Sequence, residues 1–257
     1  MKRFLVGMLR MFGVRNVIYL LGNITRGLAA FMTKIQFLME WGKTPTPEWF
    51  DHNIDKFVSW GTRSGNCFWL ERGVFSNLAI SNGANVLELC CGDGFNAKHF
   101  YSYRAAKIMS CDFDARAIKH AKECNQVDNV EFVVADIRDA MPGEEGAYDN
   151  IVWDAAIEHF TPEEIEKLMR DIKSRLNEKG ILSGYTIVER ADGKSLEQHE
   201  YEFKSKEDLM RFLTPWFKNV KVFETIYPDR HNLYFYASDD VLPFSSEWKN
   251  MISNQDL

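Results

Sequence analysis

Residues 1–39 contain no apolar run long enough to be an anchor or a secretory core. The longest uncharged stretches there are Asn16–Thr25 and Gly27–Thr33, far short of the ~20 apolar residues that span a bilayer. The same segment lacks any Asp or Glu. Lys2, Arg3, Arg10, Arg15, Arg26 and Lys34 give it a charge of +6, so the remainder must carry −12 to reach the net charge of −6. That balance excludes a uniformly basic nucleic-acid binder. Cysteine is scarce: five residues, an odd number without regular spacing, two of them adjacent (Cys90, Cys91). A disulfide framework is excluded, and a reducing, cytoplasmic compartment is implied. No CxxC or Cys/His cluster suggests zinc, and no repeat or low-complexity tract is visible. At 46% hydrophobic and 26% charged, the 257 residues otherwise have ordinary globular composition.

Four segments differ in style. Residues 1–44 are basic and amphipathic. Val17, Leu20, Leu21, Ile24, Leu28, Phe31, Ile35 and Leu38 recur at helical spacing, which predicts one or two helices broken near Gly13, Gly22 or Gly27. Such helices serve as a lid or oligomer contact, as an interfacial anchor on anionic lipid, or as an acid-poor mitochondrial presequence. Residues 45–83 are crowded with aromatics, from Trp49 and Phe50 to Trp69 and Phe75, and suit a cap over a ligand pocket or plain core packing. Residues 84–238 alternate strand and helix. Residues 239–257 read as a loosely held tail.

The alternation is regular. Strands are predicted at Asn85–Leu89, Lys107–Cys111, Val130–Ala135, Tyr148–Asp154 and Gly180–Val188. Helices are predicted at Asn96–Tyr103, Asp114–Asn125 and Pro162–Leu176, the last capped by Thr161 with Glu163 and Glu164 in its first turn. Short apolar strands separated by helices imply an α/β, doubly wound, mostly parallel sheet, with ligands at the carboxyl ends of its strands. After a helix at Lys206–Thr214, strands at Val220–Ile226 and Leu233–Ala237 flank Tyr-Pro-Asp-Arg-His-Asn. The sheet is therefore expected to end in an antiparallel hairpin.

The turn after the first strand reads Glu88-Leu-Cys-Cys-Gly92-Asp93-Gly94. Two glycines at that place let a backbone approach a ligand, although a simple tight turn has the same composition. Asp112 ends the second strand, where a carboxylate accepts hydrogen bonds from ribose hydroxyls or charges a helix N-terminus. The third glycine of a dinucleotide fingerprint is missing, because Phe95, Asn96 and Ala97 follow Gly94. Glu88 and Asp93 would repel a pyrophosphate and attract a ligand bearing an ammonium and a sulfonium. Asp136 and Ile137 offer a carboxylate and an apolar side chain to an adenine. The ligand inferred from charge is S-adenosylmethionine (SAM).

The run Val86-Leu-Glu-Leu-Cys-Cys-Gly-Asp-Gly94 resembles the first motif of class I SAM-dependent methyltransferases, VLDLGCGTG. Asp112 resembles that family's ribose acid and Asp136 its adenine-contacting acid. Tyr148–Asp154 is similar to the fourth-strand motif, and Ile157-Glu-His-Phe160 to the EH(V/F) segment after it. The resemblance covers roughly residues 84–238. It implies a seven-stranded Rossmann-like sheet with a reversed last strand, and S-adenosylhomocysteine as product. Cys90 departs from the pattern where the family has its first glycine. Expected cofactor contacts are Glu88, Cys90, Gly92, Asp93, Gly94, Asp112, Phe113, Asp136, Ile137 and Asp154.

For the acceptor, methyl transfer needs alignment and, for a hydroxyl, a base. His159, just beyond the fourth strand, is the first candidate, with Glu158 to orient it; His199 is the second. Each also reads as an ordinary loop histidine. His52, Trp69, Tyr227 and Arg230 are candidate substrate contacts, Arg230 for a phosphate or carboxylate. No metal is expected, because Asp149-Asn150 falls at the wrong end of its strand and Asp154 stands alone. No (D/N)PP(Y/F) motif or basic stripe points to a nucleic-acid acceptor.

Phe68-Trp-Leu-Glu-Arg-Gly73, His199–Phe203 (HxxEF) and Tyr227-Pro-x-Arg230 resemble methyltransferases encoded among bacterial capsule and lipopolysaccharide genes. That resemblance implies O-methylation of a sugar or a phosphorylated, phosphoramidate-like glycan precursor, beside the inner face of a membrane. The alternatives are a phenol or amine methyltransferase, or a non-catalytic SAM-binding regulator. A homo-oligomer is compatible with each.

Overall fold

A computed structural model describes residues 6–7, 13–41, 68–191, 193, 195–196, 198–227 and 230–244. His52 lies outside the described residues, as does the side chain of Trp69. The chain forms two compact units, Met1–Trp69 and Leu70–Leu257.

In the first unit, α1 (Val14–Trp41) is one helix. The break falls at Gly13, which takes a left-handed φ of 68°; Gly22 and Gly27 are carried inside the helix. Single glycines at exposed positions cost a helix only about 1 kcal/mol each, which the remaining residues offset. Its eight periodic apolar residues fall within an arc of roughly 100° at 100° per residue. Val17, Leu20, Leu21, Ile24, Leu28, Phe31 and Leu38 on that face are each more than half exposed.

The second unit begins within α2 (Phe68–Ala79). It continues through β1 (Asn85–Leu89), α3 (Phe95–His99), β2 (Lys107–Asp112), α4 (Ala115–Cys124), β3 (Val130–Val134), β4 (Tyr148–Asp154), α5 (Pro162–Arg175), β5 (Leu176–Ile187), α6 (Lys206–Leu213), β6 (Asn219–Tyr227) and β7 (Arg230–Ser238). The sheet order is β3-β2-β1-β4-β5-β7-β6. Strands β1 to β5 pair in parallel, and β7 inserts antiparallel between β5 and β6. The order reverses between β1 and β4, so the switch point lies at their carboxyl ends.

Local chemistry sets the helix starts. Asp114 caps α4 by accepting from Arg116 N–H, and Ser205 caps α6. Thr161 and Glu164 form a reciprocal capping box on α5, with Pro162 at its first position. The stretch expected as one helix over 96–103 is instead α3 followed by a 3₁₀ turn at Tyr101–Tyr103. Tertiary packing overrides the helical pattern there. Tyr101 is fully buried, and the Phe100 ring lies so close to Gly73 that a Cβ there would meet it at 2.3 Å.

Trp153, Leu87, Leu89 and Ile151 centre the largest core cluster, to which α5 contributes Ile165, Leu168, Met169 and Ile172. Val86, Ile108, Val152 and Ala97 centre a second cluster. The expected hairpin is tighter than its sequence suggests. Tyr227 pairs with Arg230, so Arg230 and His231 are strand residues, not turn residues. The start of the tail is also held: Leu242 and Phe244 pack against the cluster containing Phe223 and Tyr236.

Candidate active site

Four carboxylates collect at the switch point. Glu88, on β1, is 2% exposed and accepts a hydrogen bond from Ser110 Oγ on β2 at 2.7 Å. Burial pushes its pKa up to about 8; the Ser110 bond opposes this, while Asp154, Asp93 and Asp112 add to it. A carboxyl group that keeps its proton near neutral pH because its surroundings are dry and already negative is suited to a cationic ligand.

The turn after β1 is tied to β2. Cys91 N–H donates to the Cys111 carbonyl at 2.8 Å. Gly92 N–H donates to Asp112 Oδ2, and Asp114 N–H donates to Asp112 Oδ1, both at 2.9 Å. Each Asp112 oxygen still has lone-pair capacity for a ribose hydroxyl. Cys90 has φ 55° and Gly92 φ 55°. The conformation that the glycine motif normally supplies is therefore kept with a Cβ at Cys90, at a cost of about 1–2 kcal/mol. Ala155, one residue past β4, is the other described non-glycine residue with positive φ, at 54°. The two strained positions close the adjacent strands β1 and β4.

Several expected contacts have a structural job. Gly94 has φ 70°, and a Cβ on it would sit 2.4 Å from the Phe132 ring and 3.2 Å from Ala121 Cβ. Its absent side chain admits close helix–strand packing. Asp93 Oδ1 accepts from Phe95 N–H, at the first residue of α3, at 2.9 Å. Ile137 is 3% exposed and belongs to the core cluster around Trp153, so it turns inward instead of offering an adenine face. Phe113 is 47% exposed beside Asp112 and is the better placed apolar surface. Asp136 Oδ1 accepts from Arg138 N–H at 2.9 Å and lies 3.7 Å from the Arg138 guanidinium. Asp154 does not stand alone: Ser76 Oγ and Asn96 Nδ2 donate to it at 3.2 and 3.1 Å, and Arg72 Nε lies 3.8 Å away. Neither Ser76, Asn96 nor Arg72 was legible in the sequence, because the pairing is non-local.

On the β5–β7 side, the guanidinium of Arg72 lies 5.7 Å from the Tyr185 ring centroid and that of Arg230 lies 5.9 Å away. Arg230 Nε donates to Tyr185 Oη and to Asn232 Oδ1, each at 3.0 Å. Burial pushes the Tyr185 phenol up to about 12, against the pull of both arginines. Tyr227 donates its hydroxyl to Glu71, which also accepts from Thr225 and Tyr234. Its hydroxyl therefore serves that network.

The expected catalytic residues do meet. The rings of His159 and His199 pack edge-to-face with centroids 4.8 Å apart. Glu158 is 3% exposed and accepts from Thr186 Oγ1 at 3.0 Å. His199, also 3% exposed, is no loose loop histidine, because its Nδ1 is locked against Glu202 Oε1. Glu202, which sequence reasoning passed over, is held in turn by Ser195 N–H at 2.6 Å; its HxxE spacing from His199 was the available signal. His159 is half-buried, with Nδ1 3.1 Å from the Gln198 carbonyl.

Comparison with known proteins agrees with this architecture. Residues 86–180 match the methyltransferase domain family. An uncharacterised methyltransferase of Synechocystis sp. is 30% identical over 108 residues, 42% of this chain and 49% of that protein. The chain thus spans about half the length of the curated relative it matches. N-methyltransferase NodS of Bradyrhizobium japonicum superposes with TM-score 0.56 at 16% identity, over 68% of this chain and 97% of that one. A DhpI–SAH complex superposes with TM-score 0.53 at 18% identity, over 81% and 96%. The fold is the seven-stranded, Rossmann-like fold of class I methyltransferases, and residues 86–180 of this chain are similar to the methyltransferase domain family.

Proposed function

We propose that this chain methylates an oxygen of a sugar or a phosphorylated glycan precursor. The observation that carries the reading is the Glu158–His159–His199 cluster just beyond β4, on the sheet edge that also holds Glu88, Asp112 and Asp154. Bound SAM supplies a methyl group already activated by its sulfonium. The chain's own residues do the rest. Glu88 and the neighbouring carboxylates favour the cationic ligand, and Asp112 orients the ribose. Trp153 and Phe160, in edge contact at 5.4 Å, keep water from beneath the site. His159, the least buried of the three, accepts the proton of the acceptor hydroxyl, and His199 is its positioning residue. Arg230, with Arg72 across Tyr185, holds an anionic group on the acceptor. Labelled SAM offered with nucleotide sugars, phosphosugars, phenols and amines tests this. Transfer to a sugar or phosphosugar oxygen is expected; transfer to phenols or amines alone refutes the acceptor class, and no transfer at all favours a regulator.

For α1 we propose an interfacial role. Its exposed apolar arc, with Arg15 and Arg26 on the opposite side, suits an anionic lipid surface. No described helix is long and apolar enough to cross a membrane.

A further inference from the structure

We propose that Glu158, His159 and His199 bind one divalent first-row transition-metal ion, of the Zn²⁺, Mn²⁺ or Fe²⁺ kind. Each side chain offers one ligand atom, and the three atoms lie within 4.8 Å of one another. Metal–nitrogen bonds of about 2.0–2.1 Å place neighbouring ligand atoms roughly 3–3.4 Å apart. Rotation of the half-buried His159 side chain would have to close that difference.

Three observations carry the inference. The first is orientation. His159 Nδ1 meets the Gln198 carbonyl at 3.1 Å, and His199 Nδ1 meets the Glu202 carboxylate. A carbonyl or carboxylate can only accept, so each Nδ1 is the protonated nitrogen and, in the neutral ring, Nε2 is the one with a lone pair to offer a metal. A second partner of this kind is how proteins aim metal-binding histidines. The second is charge. Glu158 and Glu202 are 3% and 4% exposed, and no Lys or Arg among the described residues forms an ion pair with either. Buried carboxylates without cations are costly, and a metal ion is one of the few remedies. The third is access. Two ligands are buried and His159 is half-buried, so a three-ligand set keeps an open side, as catalytic metal sites do. Two imidazoles and one carboxylate select a borderline cation over Mg²⁺ or Ca²⁺, which prefer oxygen.

In the proposed reaction the ion would hold the acceptor hydroxyl on its open side and lower the pH at which that hydroxyl gives its proton to water. His159 would then act as a ligand rather than as the base. This role rests on the methyl-transfer reading, but the site does not, so its test omits SAM.

The full chain, stripped with a chelator, is titrated with Co²⁺ and followed by the visible absorption of the ion and by equilibrium dialysis. One equivalent per chain is expected, with Mg²⁺ failing to compete at tenfold excess. Glu158→Gln and His159→Ala should each weaken Co²⁺ binding at least tenfold while leaving the melting temperature near wild type. His120→Ala, at a half-buried histidine on α4, should change nothing. Absence of stoichiometric binding to the wild-type chain, equal binding by the Glu158 and His159 variants, or effective competition by Mg²⁺ overturns the proposal.

Discussion

Ser110 Oγ donates to Glu88 Oε2 at 2.7 Å across one rung of the β1–β2 ladder, where these two residues are register partners. This bond favours the carboxylate, yet burial and three neighbouring acids outweigh it and hold the pKa at about 8. In the ligand-free fold Glu88 therefore keeps its proton until the pH approaches 8, whereas the unfolded chain loses it near 4.5. The stability tied to that proton is complete below pH ~4.5 and is lost as the pH rises to about 8. A cationic ligand reverses the preference. Binding of SAM at pH 7 should release close to one proton, visible as a dependence of the calorimetric heat on buffer ionisation enthalpy. Affinity should rise from pH 6 to 8, and Glu88→Gln should abolish both effects. Equal heats in all buffers would contradict this placement of Glu88.

Gly94→Ala should destabilise the domain by about 1–3 kcal/mol, since the added Cβ meets Phe132 in a left-handed backbone conformation. Thermal melting checks it. A double substitution with Phe132→Leu should recover part of the loss, because the clash is with the ring.

The strand–helix order, the reversed last strand and the two-glycine turn after β1 were legible because short apolar runs, caps and paired glycines are local signals. What sequence could not show is non-local. Ser76 and Asn96 reach Asp154 from α2 and α3, and Glu71 gathers three hydroxyls from β6 and β7. The inward turn of Ile137 and the packing of Gly94 against Phe132 are hidden for the same reason. Spacing reveals a glycine or an apolar residue but not which neighbour it faces. The continuity of α1 through Gly22 and Gly27 shows the limit of reading single glycines as breaks.

His159→Ala should lower kcat by ~10²–10⁴-fold with SAM affinity nearly unchanged, the usual cost of losing a proton acceptor, and a loss of rate is likewise expected if His159 serves as a metal ligand. Arg230→Ala should chiefly raise the acceptor KM, because an anion clamp binds substrate and transition state alike. Steady-state kinetics with the acceptor identified by labelling separates the two. If both His159→Ala and His199→Ala keep wild-type kcat, the acceptor is already ionised or is a free amine.

Replacing Arg15, Arg26 and Lys34 together by Gln should weaken association of the full chain with anionic vesicles by about 1 kcal/mol per residue. Added salt should have the same effect on the wild-type chain. If the wild-type chain ignores such vesicles in co-sedimentation, α1 is a lid or a contact between copies instead.

SAM is expected to be held by the acidic two-glycine turn and Asp112. Calorimetric titration of the full chain with SAM, with its demethylated product and with NAD tests it most directly. Micromolar binding of the first two, none of NAD, and a loss of about 1–3 kcal/mol in Asp112→Ala are expected. Binding of NAD with SAM ignored would contradict it.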